Sequence, residues 1–187
     1  MKILVSIIFV FLNSMAFSQD VKEEVEKRIY ISEMPTQAVI YIKQMPIDTA
    51  TKIKYYFEQD KDRKSYEAKF KFKEHKYSVE FDINGNLQDI EVRQKKSDLP
   101  EDILARIESY LTDTYSRYKI EKTQMQYLPL HAKRAFKENI KPDGYELIVA
   151  TKNEKNKLEK YEMTFNPKGS FLKSRKIVRR SYDFLLF

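Results

Sequence analysis

One short phrase occurs twice in this chain, and it limits the folds open to it more than any other feature. Tyr77-x3-Phe81-x3-Gly85 has the spacing of Tyr161-x3-Phe165-x3-Gly169. The surroundings repeat in the same order. Ser32-Glu33-Met34-Pro35 is echoed by Ser97-Asp98-Leu99-Pro100, and Tyr66-Glu67 by Tyr145-Glu146. Agreement of order and spacing together marks an internal repeat, which decides architecture before any single element does.

Each copy opens with a helix. After Pro100, the apolar Ile103, Leu104, Ile107 and Leu111 recur at helical spacing and fall on one face. Asp98 and Glu101 have capping-box spacing, and a proline this early removes no helical hydrogen bond. The first helix is shorter, about Thr36 to Gln44, with Val39, Ile42 and Met45 inward and Pro46 as its stop.

Four strands follow each helix. Ile53, Tyr55 and Phe57 alternate with charged or polar neighbours, as do Tyr66, Ala68, Phe70 and Phe72, and then Tyr77, Val79, Phe81 and Ile83. Period-two alternation with one apolar side belongs to an antiparallel sheet covered on one face. Asn84-Gly85 predicts a hairpin turn with positive φ at both positions, and the return strand starts near Leu87. In the second copy Tyr118 to Tyr127 is a strand, Tyr145, Leu147 and Val149 alternate, and Tyr161, Met163 and Phe165 follow. An insertion at 129–141 carries a short helix around Leu130, Arg134 and Ala135. The expectation is an α+β fold of two tandem α-β4 units in one antiparallel sheet with helices on one face. The units are 32–96 and 97–187, after a lead-in at 19–31.

Tyr66-Glu67-Ala68-Lys69-Phe70, followed by Tyr77-Ser78-Val79-Glu80-Phe81-Asp82-Ile83-Asn84-Gly85, resembles the PepSY-like family of exported bacterial proteins. That family is itself likened to the β-lactamase inhibitor protein. The resemblance runs from about Met34 to Val178. Asn166-Pro167-Lys168-Gly169 departs from it, standing where the family has Asp-x-x-Gly, and so does the insertion. The resemblance implies one continuous sheet from two α-β4 units, one face under helices and the other open. It also implies export, no known enzymatic activity, and binding or inhibition of another protein.

The first eighteen residues read as a cleaved signal peptide: Met1-Lys2, an apolar stretch from Ile3, and a small-x-small site at Ala16-Phe17-Ser18. The apolar stretch is short of the roughly 20 residues of a spanning helix. No Cys follows it, so lipoprotein attachment is not available. The expected location is the periplasm, with no transmembrane span after cleavage. The C-terminal Tyr182-Asp183-Phe184-Leu185-Leu186-Phe187 also suits the closing strand of a small membrane barrel. The amphipathic helix after Pro100 argues against that reading.

Composition removes several chemistries. Cys is absent, Gly occurs three times and His twice. Thiol catalysis, zinc-thiolate sites and Gly-rich phosphate loops are excluded. His75 and His131 read as solvated residues, because a metal site needs three or four converging ligands. Asp82-x-Asn84-Gly85-Asn86 starts like a calcium loop, but position 12 is Arg93. Asp60 and Asp62 lie in a charged stretch, Glu58 to Lys64, read as an exposed loop. No cofactor is expected. The net charge of +7 is spread along the chain, densest at Arg93-Gln94-Lys95-Lys96 and Arg175 to Arg180. That spread favours a solvated surface over nucleic-acid binding, and leaves peripheral membrane contact open.

The sheet face away from the helices remains as the candidate site. Alternation puts Lys52, Lys54, Tyr56, Glu67, Lys69, Lys71 and Glu80 on it, with Glu146, Ile148 and Glu162 from the second unit. Mixed charge with a few aromatics suits a protein or peptide partner of the cell envelope. The alternative is an envelope assembly or lipid-surface factor using the basic clusters and the apolar C-terminus.

Overall fold

The computed structural model describes residues 21–50, 52–137, 140–153 and 155–178. The signal-peptide segment, Arg179-Arg180 and the apolar C-terminal tail lie outside the described residues.

Helix α1 (Thr36–Gln44) is followed by β3 (Lys54–Asp60), β4 (Arg63–Phe72), β5 (His75–Asp82) and β6 (Leu87–Gln94). Helix α2 (Glu101–Thr114) is followed by β7 (Tyr118–Tyr127), β8 (Gly144–Lys152), β9 (Leu158–Phe165) and β10 (Phe171–Ile177). The lead-in forms two short strands, β1 (Val21–Lys22) and β2 (Glu24–Ile29). All ten strands belong to one sheet, ordered β1-β10-β9-β8-β7-β6-β5-β4-β3-β2.

That order corrects the expectation of an open sheet. β1 pairs with β10 in parallel, while β2, one residue later, pairs antiparallel with β3 at the opposite edge. A single stretch of chain therefore joins both edges, and the sheet curls into a nearly closed barrel. Val178 N donates to Lys22 O at 3.0 Å and Glu23 N to Asp60 Oδ1 at 2.8 Å. Arg175 Nη1 on β10 reaches Asp60 Oδ2 on β3 at 3.1 Å. The sequence placed Asp60 in an exposed loop. Instead, Glu58 to Asp60 belong to β3, and the Asp60 carboxylate ties β3 to β10 across the seam.

Core side chains occupy the outer face of the barrel, under the helices. Ala38 and Ile42 of α1 pack with Ala68, Phe70, Tyr77, Val79, Phe81 and Ile90. Ile103, Ile107 and Leu111 of α2 pack with Leu147, Val149, Met163 and Phe165. The insertion is a 3₁₀ helix, Pro129–Phe136, and it covers the first core rather than the second. Ala132 and Ala135 are buried there, the Phe136 ring stacks on Tyr77 at 5.5 Å, and Tyr77 Oη donates to Ala135 O at 3.1 Å.

Both helices start alike, though not by the expected capping box. A 3₁₀ turn precedes each, Ile31–Glu33 and Lys96–Asp98. Its acid accepts from the backbone three residues earlier: Glu33 Oε2 from Tyr30 N at 2.7 Å, Asp98 Oδ2 from Lys95 N at 3.3 Å. Pro100 is the N-cap of α2 without a side-chain cap, so Asp98 serves the turn and not the helix.

The two Gly hairpins are built alike as well. Asp82 Oδ1 accepts from Asn84 N and Asn86 N, both at 2.8 Å. Asn166 Oδ1 accepts from Lys168 N and Ser170 N at 2.9 and 3.0 Å. An amide oxygen thus does the work of a carboxylate, and the departure at Asn166 leaves the turn unchanged. Gly85 (φ 85°) and Gly169 (φ 79°) are left-handed, whereas Asn84 is not, so the two-position expectation fails there. It is met at Lys73 (φ 44°) and Glu74 (φ 67°), in the β4–β5 turn.

Candidate functional site

The residues that alternate with the core line the inside of the barrel. The register sets Tyr56 beside Glu67, Glu67 beside Glu80, and Glu80 beside Asp89. The adjacent row is Lys54, Lys69, Ser78 and Glu91. In the second half, Gln124, Glu146 and Thr164 form one row, and Lys122, Ile148, Glu162 and Arg175 another. Nine of the ten residues expected there share this face by register, and Lys52, ahead of β3, lines the same cleft as Lys54. The face is not an open surface: Glu67 is 4% exposed, Glu91 4% and Glu162 5%.

Like charges directly opposite destabilise a sheet, so rows of carboxylates need neutralising, and three devices do this. Cations are the first. Lys69 Nζ lies 2.5 Å from Glu67 and 2.9 Å from Glu26, and Lys22 Nζ lies 2.6 Å from Glu162 and from Glu24. Arg175 grips Glu162 at 2.5 Å. Neutral donors are the second: Ser78 Oγ donates to Glu67, Gln124 Nε2 to Glu91, and Gln126 Nε2 to Asp89 at 2.6 Å.

Protons are the third. Burial, a hydrogen bond to Glu67 and the Glu67 charge push Glu58 up to about 11. Burial raises Glu80, reinforced by the Asp89 charge, and raises Glu91, reinforced by Glu146. Burial together with the Glu162 charge moves Glu146 up to about 7. Glu67 and Glu162 go the other way. Burial opposes their ionisation, but hydrogen bonds and the Lys69, Lys22 and Arg175 charges outweigh it and hold them low. The interior therefore mixes ionised and protonated carboxyls side by side.

Two regions differ in charge. A cavity of about 420 Å³ inside the barrel is lined mainly by carboxyls, Glu58, Glu67, Glu80, Glu91, Glu146 and Glu162 among them, with Lys22, Lys69 and Lys122 set between them. At the end marked by the β4–β5 turn, a cleft of about 370 Å³ is lined by Lys52, Lys54, Lys71, Lys76, Arg93 and Lys122, with Tyr56 on its wall and the Glu67–Lys69 pair at its base. Lys69 stands at the boundary, its Nζ 4.8 Å from the centre of the Tyr56 ring. We call this end the mouth.

Metal-ligating and acid–base candidates resolve simply. Glu24, Glu26 and Glu58 bring ligand atoms within 4.8 Å of one another. The Lys69 ammonium, 2.9 Å from Glu26 and 3.8 Å from Glu58, already supplies the cation there. The Asp82 carboxylate is filled by N–H groups of its own loop, as the hairpin reading requires. His75 is exposed at the start of β5. His131 has an acidic partner that sequence distance hid: its Nδ1 lies 2.6 Å from Asp143 Oδ1, pinning the two ends of the insertion together.

Sequence reading missed Lys22, Glu24, Glu58, Asp89, Glu91, Lys122, Gln124 and Arg175. For most of them the signal was present. Asp89 and Glu91 alternate with Ile90 and Val92, and Gln124 alternates with Thr123 and Met125. Lys22 and Glu24 had no such signal, because the lead-in is too short and polar to show a strand period.

No protein-family model matches the chain, and no curated protein matches it. Solved structures do. A Bacteroides eggerthii protein described with a proposed periplasmic location aligns over 76% of this chain and 88% of its own, at 19% identity and a TM-score of 0.52. A DUF2874 family protein from Bacteroides uniformis aligns over the same shares at 17% identity and a TM-score of 0.51. A BLIP-like protein from Bacteroides fragilis covers 76% and 86% at 20% identity, with a TM-score of 0.47. The first two likenesses show a shared fold. Among the described residues no helix is long and apolar enough to cross a membrane.

Proposed function

We propose that this protein is an exported, non-enzymatic binding module that receives a protein or peptide segment at the mouth of its curled sheet. One observation carries the reading. Lys52, Lys54, Lys76 and Arg93 converge with Tyr56 on one cleft and have no ion-pair partner among the described residues. Unpaired charge gathered around an aromatic wall is a recognition surface, since charge pattern sets specificity and encounter rate. Export rests on the signal-peptide pattern of residues 1–18 and is supported by the proposed location of the B. eggerthii protein. The duplicated phrase, the matching helix starts and the matching hairpins support two tandem α-β4 units of PepSY-like kind. Inhibition of a hydrolase would be one consequence of such capture.

Photo-crosslinking in the cell envelope of the native host tests this. Benzoylphenylalanine at Tyr56 should capture one defined protein, while the same group at the exposed outer-face Leu172 should not. Capture from Leu172 alone, or of lipid alone from both positions, would overturn it and favour an envelope-surface role.

A further inference from the structure

Resting on that reading, we infer that the ligand at the mouth is an acidic peptide segment, bound by its carboxylates and by a backbone N–H. Three features of the mouth point there.

The first is charge. Lys52, Lys54, Lys76 and Arg93 are all exposed and without ion-pair partners among the described residues, and Lys122 and Lys71 line the same cleft. Cations left unpaired beside a low-dielectric wall attract anions far more strongly than the same charges spread over a surface.

The second is depth. Immediately behind the mouth stand Glu67, Glu80 and Glu91. Of the three, Glu67 is the one held ionised, and an anion that passed Lys69 would meet that charge and be repelled. The ligand therefore seats at the rim, across the ends of β3 to β7, and does not thread the barrel.

The third separates a peptide from fully ionised phosphate chains. Gln124 is 3% exposed, donates its Nε2 to Glu91, and leaves Oε1 buried without a hydrogen-bond partner. Gln124 lines the mouth. A buried acceptor without a donor costs free energy until one arrives. A peptide backbone brings N–H donors, whereas fully ionised phosphate chains bring none. Tyr56 adds an amphipathic face for the side chain beside the bonded amide.

The test is fluorescence anisotropy on the mature full chain, with a dye-labelled peptide of alternating Glu and Ala. A neutral Gln/Ala peptide, inorganic polyphosphate and anionic phosphatidylglycerol vesicles serve as competitors. The acidic peptide should bind, weaken as salt is raised, and weaken about tenfold with Lys54→Glu plus Arg93→Glu. Both residues are exposed, so unchanged thermal melting confirms that the variant folds. Gln124→Met should weaken the peptide and leave any residual polyphosphate binding unchanged. Polyphosphate or vesicles binding as tightly as the peptide, with no effect of Gln124→Met, would overturn the inference in favour of an indiscriminate polyanion surface. So would absence of acidic-peptide binding. If Tyr56 crosslinking still captured one protein in those cases, the binding module would stand and only its ligand class would fall.

Discussion

Helix α1 has nine residues and α2 fourteen, and the sheet beneath them is covered accordingly. In the second half, α2 alone buries Ile107 and Leu111 completely over β8 and β9. In the first half α1 is too short for its strands. The gap over β4, β5 and β6 is filled by Ala132, Ala135 and Phe136, which come from the other half of the chain. The comparison teaches that the two halves, alike in element order, are not alike in autonomy. The first needs the second for its cover, and both need the lead-in to close the sheet.

Predictions follow from that asymmetry. Ile107→Ala, at a site covered by α2 alone, should cost about 2–5 kcal/mol in chemical denaturation. Ile42→Ala should cost less, because α1 shares its load. An equal or larger loss at Ile42 would break the comparison.

Gly85→Ala and Gly169→Ala test the likeness rather than the difference. A Cβ at Gly85 would meet Ala38 N at 2.9 Å, and one at Gly169 would meet Ile103 O at 2.9 Å. With positive φ at both, each should cost about 1–3 kcal/mol. Similar losses support one construction used twice; a harmless change at either would contradict it.

Phe136→Ala should cost about 1–2 kcal/mol by removing the stack on Tyr77. Amide exchange should quicken in β4 and β5 but not in β8 and β9. Faster exchange spread evenly over both halves would mean the insertion does not belong to the first core.

Two carboxyls, Glu58 from the first half and Glu162 from the second, should answer pH with opposite sign. Glu58, raised to about 11, contributes stability that is complete below its unfolded value near 4.5 and is lost as pH climbs toward 11. Glu162, held low, contributes stability above its unfolded value that is lost as pH falls. Glu58→Gln should raise the Tm at pH 9 by about 3 °C, and Glu162→Gln should lower it at pH 7. Equal responses in thermal melts would contradict the assignment of protons. Smallest of all, Asn166→Asp should change stability by less than about 0.5 kcal/mol, since an Asp already serves at position 82.

Much of this was legible in the sequence. The helix positions, the eight main strands and the single polar face follow from period and spacing, and nine of the ten residues expected on that face share it by register. Closure was not legible. It depends on Val21 to Ile29 pairing at both edges, and a short polar stretch carries too little alternation to announce a strand. Nor could sequence show that an exposed-looking face is interior. Alternation tells which residues share a side, but curvature decides whether that side meets water. The Asn84-Gly85 reading failed for a local reason: Asp82 folds its loop around its own carboxylate, so only Gly85 needs a left-handed backbone.

The account stands on the polar face being the inside of a curled sheet with a basic mouth at its β4–β5 end. The absence of Cys makes this directly measurable. Single Cys residues would be placed by Glu80→Cys inside, Tyr56→Cys at the mouth and Leu172→Cys on the outer face, and their maleimide labelling rates compared. The account predicts fast labelling at 172, labelling at least about tenfold slower at 80, and an intermediate rate at 56 that falls when acidic peptide is added. Labelling at 80 as fast as at 172 would mean an open sheet, and would contradict it.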